Sequence, residues 1–331
     1  MGREKVIKLL RAKGVGYVSG EELSDTLGIT RAGVWKEIEK LRADGYDIEA
    51  KKSAGYRLLS APDALTEEEI SCGVTGRVIG RRLVCLDTVD STNNYAKKIA
   101  QDGVPDGTAV VSECQTGGRG RMERPFQSPA GKGIYLSVIM KPDLPPGNMV
   151  PITAMGAVAV CGAIEKVCGV RPGIKWTNDI VLNGKKICGI LTEMSVEAER
   201  VALQYVVMGI GVNVLQEPED FVGEARGMAS SLKQELGKCV SRPALAAGIL
   251  NELDAVYSEI KRGGLDSMLP AYRASCVNIG KDVRVIGSGS EITGRAVDVD
   301  EKYGLVVETG NGERMTVRSG EVSVRGLYGY I

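Results

Sequence analysis

Thr116-Gly117-Gly118-Arg119-Gly120-Arg121-Met122-Glu123-Arg124, continued by Pro125 and Phe126, constrains this chain more than any other stretch. Three glycines and three arginines share nine positions. Glycine has no Cβ, so backbone amides beside it can turn toward an anion. Arginine adds a rigid fork matched to phosphate oxygens. The stretch suits a loop that closes over a phosphorylated ligand; its alternative is a flexible surface loop. It is not a Walker loop, because no G-K-[ST] follows a four-residue gap, and it does not read G-x-G-x-x-G. Runs at residues 109–113 and 134–139 read as strands on either side, which sets the loop into a sheet-containing domain.

The wider sequence narrows the chemistry. The 331 residues contain no histidine, which excludes Ser-His-Asp and Cys-His nucleophiles, H-E-x-x-H zinc sites and any imidazole base. Charge stabilisation, orientation or an already reactive substrate must carry the reaction. Lys+Arg and Asp+Glu number 42 each, so no global field draws the molecule to nucleic acid or membrane. With 43% hydrophobic and 25% charged residues the composition is that of a soluble globular protein, and the length predicts two or three domains. The basic N-terminus opens into no apolar core, so no signal peptide is expected. The longest apolar run, residues 150–164, is interrupted by Pro151 and Thr153. It is shorter than the ~20 residues of a membrane span and reads as a buried helix. The eight cysteines form no C-x-x-C pair and are expected as reduced, buried thiols in a cytoplasm.

Residues 1–62 read as a winged helix-turn-helix. Residues 3–13 carry Val6, Ile7, Leu9 and Leu10 on one stripe and end at Gly14. Ser19 with Glu22 forms a capping-box pattern for a second helix, which stops at Gly28. Thr30 caps a third helix over residues 31–44, with Val34, Ile38 and Leu41 inward. Residues 48–59 read as two strands around a basic tip, Lys51-Lys52-Ser53-Ala54-Gly55. Arg31, Lys36 and Lys40 on the third helix, with Lys51 and Lys52 on the wing, are the candidate DNA contacts. The alternative is a helical module that packs on a partner. Residues 1–60 hold 12 Lys+Arg and 9 Asp+Glu, an excess too mild to imply DNA binding by itself.

After a Pro-containing boundary at residues 60–64, residues 65–275 mix strands (84–86, 109–113, 134–139, 206–212) with helices (91–101, 150–168, 242–261). Asn183-Gly184 marks a hairpin turn. Residues 278–331 change to short alternating runs separated by Gly-rich turns, a small SH3-like β-barrel. The fold class expected is α+β: winged helix-turn-helix, central mixed α/β domain, small C-terminal barrel.

Four clusters in the middle region line up: Asp90-Ser91-Thr92-Asn93 at a strand-to-helix junction, where helix capping is an equal alternative; Gln115 leading into the Gly/Arg loop; Lys175-Trp176-Thr177-Asn178-Asp179 with Lys185-Lys186-Ile187-Cys188-Gly189-Ile190-Leu191; and Gly209-Ile210-Gly211-Val212-Asn213. This set resembles the biotin protein ligases, whose pattern reads S-T-N, Q before G-R-G-R, K-W-P-N-D, a lysine before small-Gly-Ile-Leu, and G-x-G-x-N. The resemblance extends to Gly320-Glu321-Val322-Ser323-Val324-Arg325 at the C-terminus. With the N-terminal module it is similar to the bifunctional type, ligase and transcriptional repressor in one chain.

The resemblance implies a central ligase domain of the biotin/lipoate type and a two-step reaction. Biotin and MgATP give biotinyl-5'-AMP and pyrophosphate; a lysine of a biotin carboxyl carrier protein then attacks the adenylate. Such chemistry needs positive charge and alignment more than a proton acceptor. It implies Lys186, Arg119 and Arg121 as catalytic residues. Ser91, Thr92, Asn93, Gln115, Arg119, Gly120, Arg121 and Lys186 would meet biotin; Arg119, Arg121, Phe126, Asn213 and Arg325 would face the nucleotide. Asp179 would hold Mg²⁺ or orient Lys186, with a turn-forming role as its alternative, and Lys186 has the alternative of a solvated lysine beside Lys185. Operator DNA and a ligand-promoted homodimer complete the implied partners, in a cytoplasmic protein with no membrane contact. Two rival readings are a ligand sensor that no longer ligates and a ligase for lipoate or octanoate. The chain departs from the family pattern at Phe126, where tryptophan is usual, at Thr177, where proline is usual, and at Met122-Glu123.

Overall fold

The computed structural model describes residues 2–145, 147, 149–197, 202–287, 290–318, 323–326 and 330–331. Three helices open the chain: α1 (Gly2–Ala12), α2 (Gly20–Leu27) and α3 (Arg31–Ala43), followed by a hairpin of β1 (Asp47–Lys51) and β2 (Gly55–Ser60). Ser19 accepts from the Glu22 amide at 3.0 Å and Thr30 from the Gly33 amide at 3.2 Å, so both expected caps form. The Glu22 carboxylate instead lies 3.5 Å from Lys13, a surface ion pair in place of the expected reciprocal bond of a capping box. Val6, Ile7, Leu10, Leu23, Val34, Ile38, Leu41 and Ile48 make a core belonging to this module alone.

The central region adds α4 (Glu67–Ser71), β3 (Leu83–Val89), α5 (Thr92–Gln101), β4 (Ala109–Gln115), β5 (Gly133–Met140) and α6 (Met149–Cys168). It continues with β6 (Gly173–Lys175), β7 (Asp179–Leu182), β8 (Lys185–Glu197), β9 (Ala202–Asn213), α7 (Leu232–Leu236), α8 (Arg242–Lys261) and α9 (Leu269–Ser275). The sheet order is β3-β4-β5-β9-β8-β7-β6, with β3 and β4 parallel and the other pairs antiparallel. Every residue of β5 is buried, as a central strand covered on both faces requires. One face carries α6 and α8; α6 is long and apolar enough for a membrane span but lies within this core. The opposite face carries α5 over Val110, Ile139 and Val207. Because α5 covers only part of that face, the remaining rows of the sheet are open to a ligand.

Residues 282–326 form a five-stranded antiparallel sheet of β10 (Asp282–Gly287), β11 (Ser290–Val299), β12 (Leu305–Thr309), β13 (Arg314–Val317) and β14 (Ser323–Gly326), ordered β13-β12-β11-β10-β14. Its Val283, Val285, Ala296, Val299 and Val307 join the central core rather than forming their own. The Trp176 amide donates to Asn278 at 2.7 Å and its indole to the Tyr303 carbonyl at 2.8 Å, which fastens the K-W-T-N-D segment to this sheet. The Trp176–Thr177 peptide is cis. All eight cysteines are free, but burial is less uniform than expected. Cys161, Cys168, Cys188 and Cys276 are buried, whereas Cys239, in the turn after α7, is exposed.

Candidate functional site

Strand parity builds the floor. The register sets Ser137, Gly209 and Leu191 in one row across β5, β9 and β8, and Tyr135, Gly211 and Gly189 in the next. A Cβ on Gly209 would lie 2.2 Å from Asn93 Oδ1, and one on Gly211 2.5 Å from the Phe126 ring. The two glycines of G-x-G-x-N therefore admit two side chains against the sheet, a close approach that no larger residue allows. Above the floor lies a cavity of about 560 Å³. Ser91, Thr92, Asn93, Gln115, Arg119, Gly120, Arg121, Phe126, Asp179, Lys186 and Asn213 all line it. The cavity thus gathers the sequence-predicted ligand residues, Arg325 excepted: its side chain lies outside the described residues, as do Gly320, Glu321 and Val322.

One end is polar and nearly dry. Ser91, Thr92 and Asn93 are 3%, 4% and 4% exposed. Gln115 Oε1 accepts from the Thr92 amide at 2.8 Å and from its hydroxyl at 3.1 Å, while Gln115 Nε2 donates to Ser128 at 2.9 Å. Ser137 donates to Asn93 Oδ1 at 2.6 Å and lies 2.8 Å from the Thr92 hydroxyl, and Asn93 Nδ2 donates to Glu193 at 2.8 Å. Ser91 occupies the cap position but makes no side-chain cap bond, which weakens the capping alternative for this motif. Glu193 also takes Lys97 at 2.8 Å and Arg119 at 3.1 Å. Burial pushes its carboxyl up, but Lys97, Asn93 and Arg119 outweigh that and leave it below the usual carboxylate range. Glu193, Lys97 and Ser137 went unread in the sequence. The signal for Glu193 was its parity with Gly189 and Leu191 on β8.

The Gly/Arg loop folds on itself more than its composition suggests. The Gly117 amide donates to Asp90 and the Gly120 amide to Arg124, both at 2.8 Å, so neither is turned toward an anion. Gly118 is needed for close approach, since a Cβ there would lie 2.5 Å from the Phe126 carbonyl. Met122 and Glu123 hold left-handed backbone at φ 56° and 54°, the conformation that glycine adopts at least cost. Arg119 reaches Glu123 at 2.8 Å, Asn94 at 3.0 Å and Glu193, and so belongs to the polar end. Arg121 turns the other way, to Thr177 and Asn178 at 3.3 and 3.2 Å.

That second end is cationic. Lys186 Nζ lies 2.6 Å from Asp179 Oδ1, so Lys186 is a half-buried, ion-paired lysine rather than a freely solvated one. Burial raises the Asp179 carboxyl, but Lys186 and the Tyr330 hydroxyl hold it below its ordinary value. Asp179 Oδ1 is buried and accepts no well-angled hydrogen bond, which leaves it lone-pair capacity toward a cation. Lys175, 5% exposed, sets its ammonium 3.3 Å from the Tyr330 ring centroid. The backbone of Lys186 bonds Met228 and Ser230, both at 2.9 Å, tying residues 223–231 to the cavity rim. Asn213 donates to the Ser230 carbonyl at 3.1 Å and accepts from Gln216 at 3.3 Å, an anchoring arrangement for the same segment. Phe126 packs edge-on to Tyr135 at 6.5 Å.

In the first module Arg31, Lys36, Lys40, Lys51 and Lys52 are all exposed. Arg31 pairs with Glu21 at 3.3 Å and Lys40 with Glu37 at 2.6 Å. Trp35, 55% exposed on the same helix, is a surface aromatic that the helical pattern alone did not single out.

Residues 85–213 match the Biotin/lipoate A/B protein ligase family, residues 3–57 an HTH domain and residues 279–325 the Biotin protein ligase C terminal domain. The chain is 38% identical to the Bifunctional ligase/repressor BirA of Bacillus subtilis, over 94% of this chain and 95% of that one. It is 30% identical to the protein of the same name from Escherichia coli, over 97% and 96%. A biotin protein ligase from Aquifex aeolicus, solved in complex with biotin and ATP, superposes with a TM-score of 0.64 at 28% identity, covering 74% of this chain and 99% of that one. Matched along nearly its whole length by relatives that share all three domains, this chain belongs to the biotin protein ligase family, in its bifunctional ligase/repressor form.

Proposed function

We propose that the cavity binds biotin at its Ser91-Thr92-Asn93-Gln115 end and the ATP phosphates at its Lys186-Arg121 end. The carboxylate of biotin attacks the α-phosphorus at the junction, pyrophosphate leaves, and biotinyl-5'-AMP remains. The observation that carries this reading is the division of one cavity into an end lined by hydroxyls and amides and an end carrying Lys186, Lys175 and Arg121. Lys186 and Arg121 stabilise charge gathering on the phosphate oxygens, a role needing no proton transfer and hence no histidine. Arg119, tethered to Glu193, closes the biotin end. Asp179 Oδ1 has the capacity to hold the magnesium ion that accompanies ATP, whose chemistry is to neutralise the departing pyrophosphate. Phe126 and Asn213 face the nucleotide, Asn213 by anchoring residues 223–231. The second substrate is a lysine amine on a biotin carboxyl carrier protein, which attacks the adenylate carbonyl and expels AMP.

The same reading divides the chain at residues 1–62, 65–275 and 278–331. The first unit reads operator DNA through α3 and the wing, and ligand-promoted homodimerisation matches a two-fold operator. The protein acts in the cytoplasm, as a repressor of biotin genes. Exchange of labelled pyrophosphate into ATP tests the enzyme, with biotin, lipoate and octanoate in parallel. Exchange with biotin alone is expected. Exchange with lipoate or octanoate instead would reassign the substrate, and none with any acid would leave a ligand-sensing repressor.

A further inference from the structure

Tyr330 comes back from the C-terminal end of the chain into the cationic end of the cavity. Its hydroxyl donates to Asp179 Oδ2, while the other oxygen of that carboxylate, Oδ1, faces Lys186 Nζ at 2.6 Å. Its ring lies over the ammonium of Lys175. The tail is seated: a Cβ on Gly326 of β14 would lie 2.3 Å from the backbone of Ile331, so the last residue packs where only glycine leaves room.

We infer that Tyr330 is a positioning residue for adenylate formation, holding the Asp179 carboxylate by Oδ2 so that Oδ1 and Lys186 stay aimed into the cavity. The inference rests on the assignment of Lys186 and Asp179 to the phosphate end. A carboxylate bonded through one oxygen alone is free to rotate about its Cβ–Cγ bond. Held through both, by the tyrosine hydroxyl on Oδ2 and the lysine charge on Oδ1, it has one orientation, and the lysine paired with it has one too. The ring contributes separately, by lying against the buried Lys175 ammonium without removing its charge.

The test is Tyr330→Phe in the full-length chain, which keeps the ring on Lys175 and deletes only the hydroxyl. The kcat of biotin-dependent pyrophosphate exchange should fall about tenfold, the scale of one hydrogen bond to a charged group. KM for biotin should stay within about twofold, and the affinity for biotin without ATP should be unchanged, because biotin is held at the other end of the cavity; the twofold band is ordinary scatter for an uninvolved contact. A loosened fold would move all three readouts together and overturn the inference. Gly326→Ala, which unseats the tail without touching the cavity, should reproduce the kcat loss. Unchanged exchange in Tyr330→Phe overturns the inference, and so does faster exchange or a lower KM for MgATP, which would make the tail a plug. If Lys186→Ala retains full exchange, the assignment of the phosphate end fails and this inference with it.

Discussion

Gly209 shows how closely a single residue can be tied to the shape of the cavity floor. A methyl group there would meet Asn93 Oδ1 at 2.2 Å, inside any real contact distance. Asn93 is also held by Ser137, Leu191 and Glu193, so it cannot swing aside without breaking that set. Gly209→Ala is expected to cost about 1–3 kcal/mol of stability, as overpacking does. It should also weaken biotin binding by more than tenfold, the scale of about 1.4 kcal/mol. Calorimetric titration with biotin checks this, and wild-type affinity would mean that Asn93 does not contact the ligand. Arg119→Ala acts differently, since it removes the cross-tie among Glu123, Asn94 and Glu193. Retained biotinyl-adenylate should then dissociate faster by about one order of magnitude, the loss of a charge-assisted hydrogen bond. Unchanged retention would show that Arg119 does not close the site. At this scale the motif residues were legible because each carries an unusual residue type at a fixed spacing. Glu193, Lys97 and Tyr330 were not, because only tertiary pairing, through a strand parity and the return of residue 330, brings them beside those motif residues.

Between elements, the buried Arg242 at the start of α8 joins three parts of the chain. It is 3% exposed and bonds Asp63 in the linker at 2.9 Å and Glu113 on β4 at 2.6 Å. Glu113 also accepts from the Leu65 amide at 2.7 Å. Two residues beyond Glu113, β4 ends in Gln115, which orients Thr92 at the polar end of the cavity. Arg242→Met keeps much of the volume and strands two carboxylates that remain partly in contact with water. A loss of about 1–3 kcal/mol is expected, the cost of unsatisfied polar groups. The measurement is urea unfolding monitored through the two tryptophans, and an unchanged midpoint would make the clasp dispensable. The element boundaries themselves were largely legible. Residues 242–261 were expected as a helix and α8 spans Arg242–Lys261; residues 206–212 were expected as a strand and lie within β9. Short elements such as α4, β6 and α9 were missed, since three to seven residues carry too little periodicity to stand out. The expected barrel is a five-stranded sheet whose inward face is shared with the ligase core, and no pattern within residues 278–331 could reveal that its hydrophobic side belongs to a neighbour.

For the molecule as a whole, the balance of 42 basic and 42 acidic residues means that any attraction to DNA is local. It must come from α3 and the wing, where Arg31, Lys36, Lys51 and Lys52 are exposed beside Trp35. The module has its own core and docks on α4, where the buried Glu69 pairs with Arg11 and accepts from Tyr46 at 2.7 Å. The module is therefore tied to the ligase body through α4. Arg31, at the first turn of α3, is placed to contact bases or phosphates once it releases Glu21, an exposed pairing that costs little to break. With a duplex selected from a random pool in the presence of biotin and MgATP, Arg31→Ala should bind about tenfold more weakly, within the 1–3 kcal/mol of a lost base contact. If the contact is to a phosphate instead, the loss should be uniform across sequences and the salt slope should fall by about one. Omitting biotin should weaken wild-type binding as well, because a monomer engages only half of a two-fold site. Equal affinity of Arg31→Ala and wild type, at every salt concentration and with ligand present, would mean that α3 is not the reading helix and that the module packs against a protein partner instead.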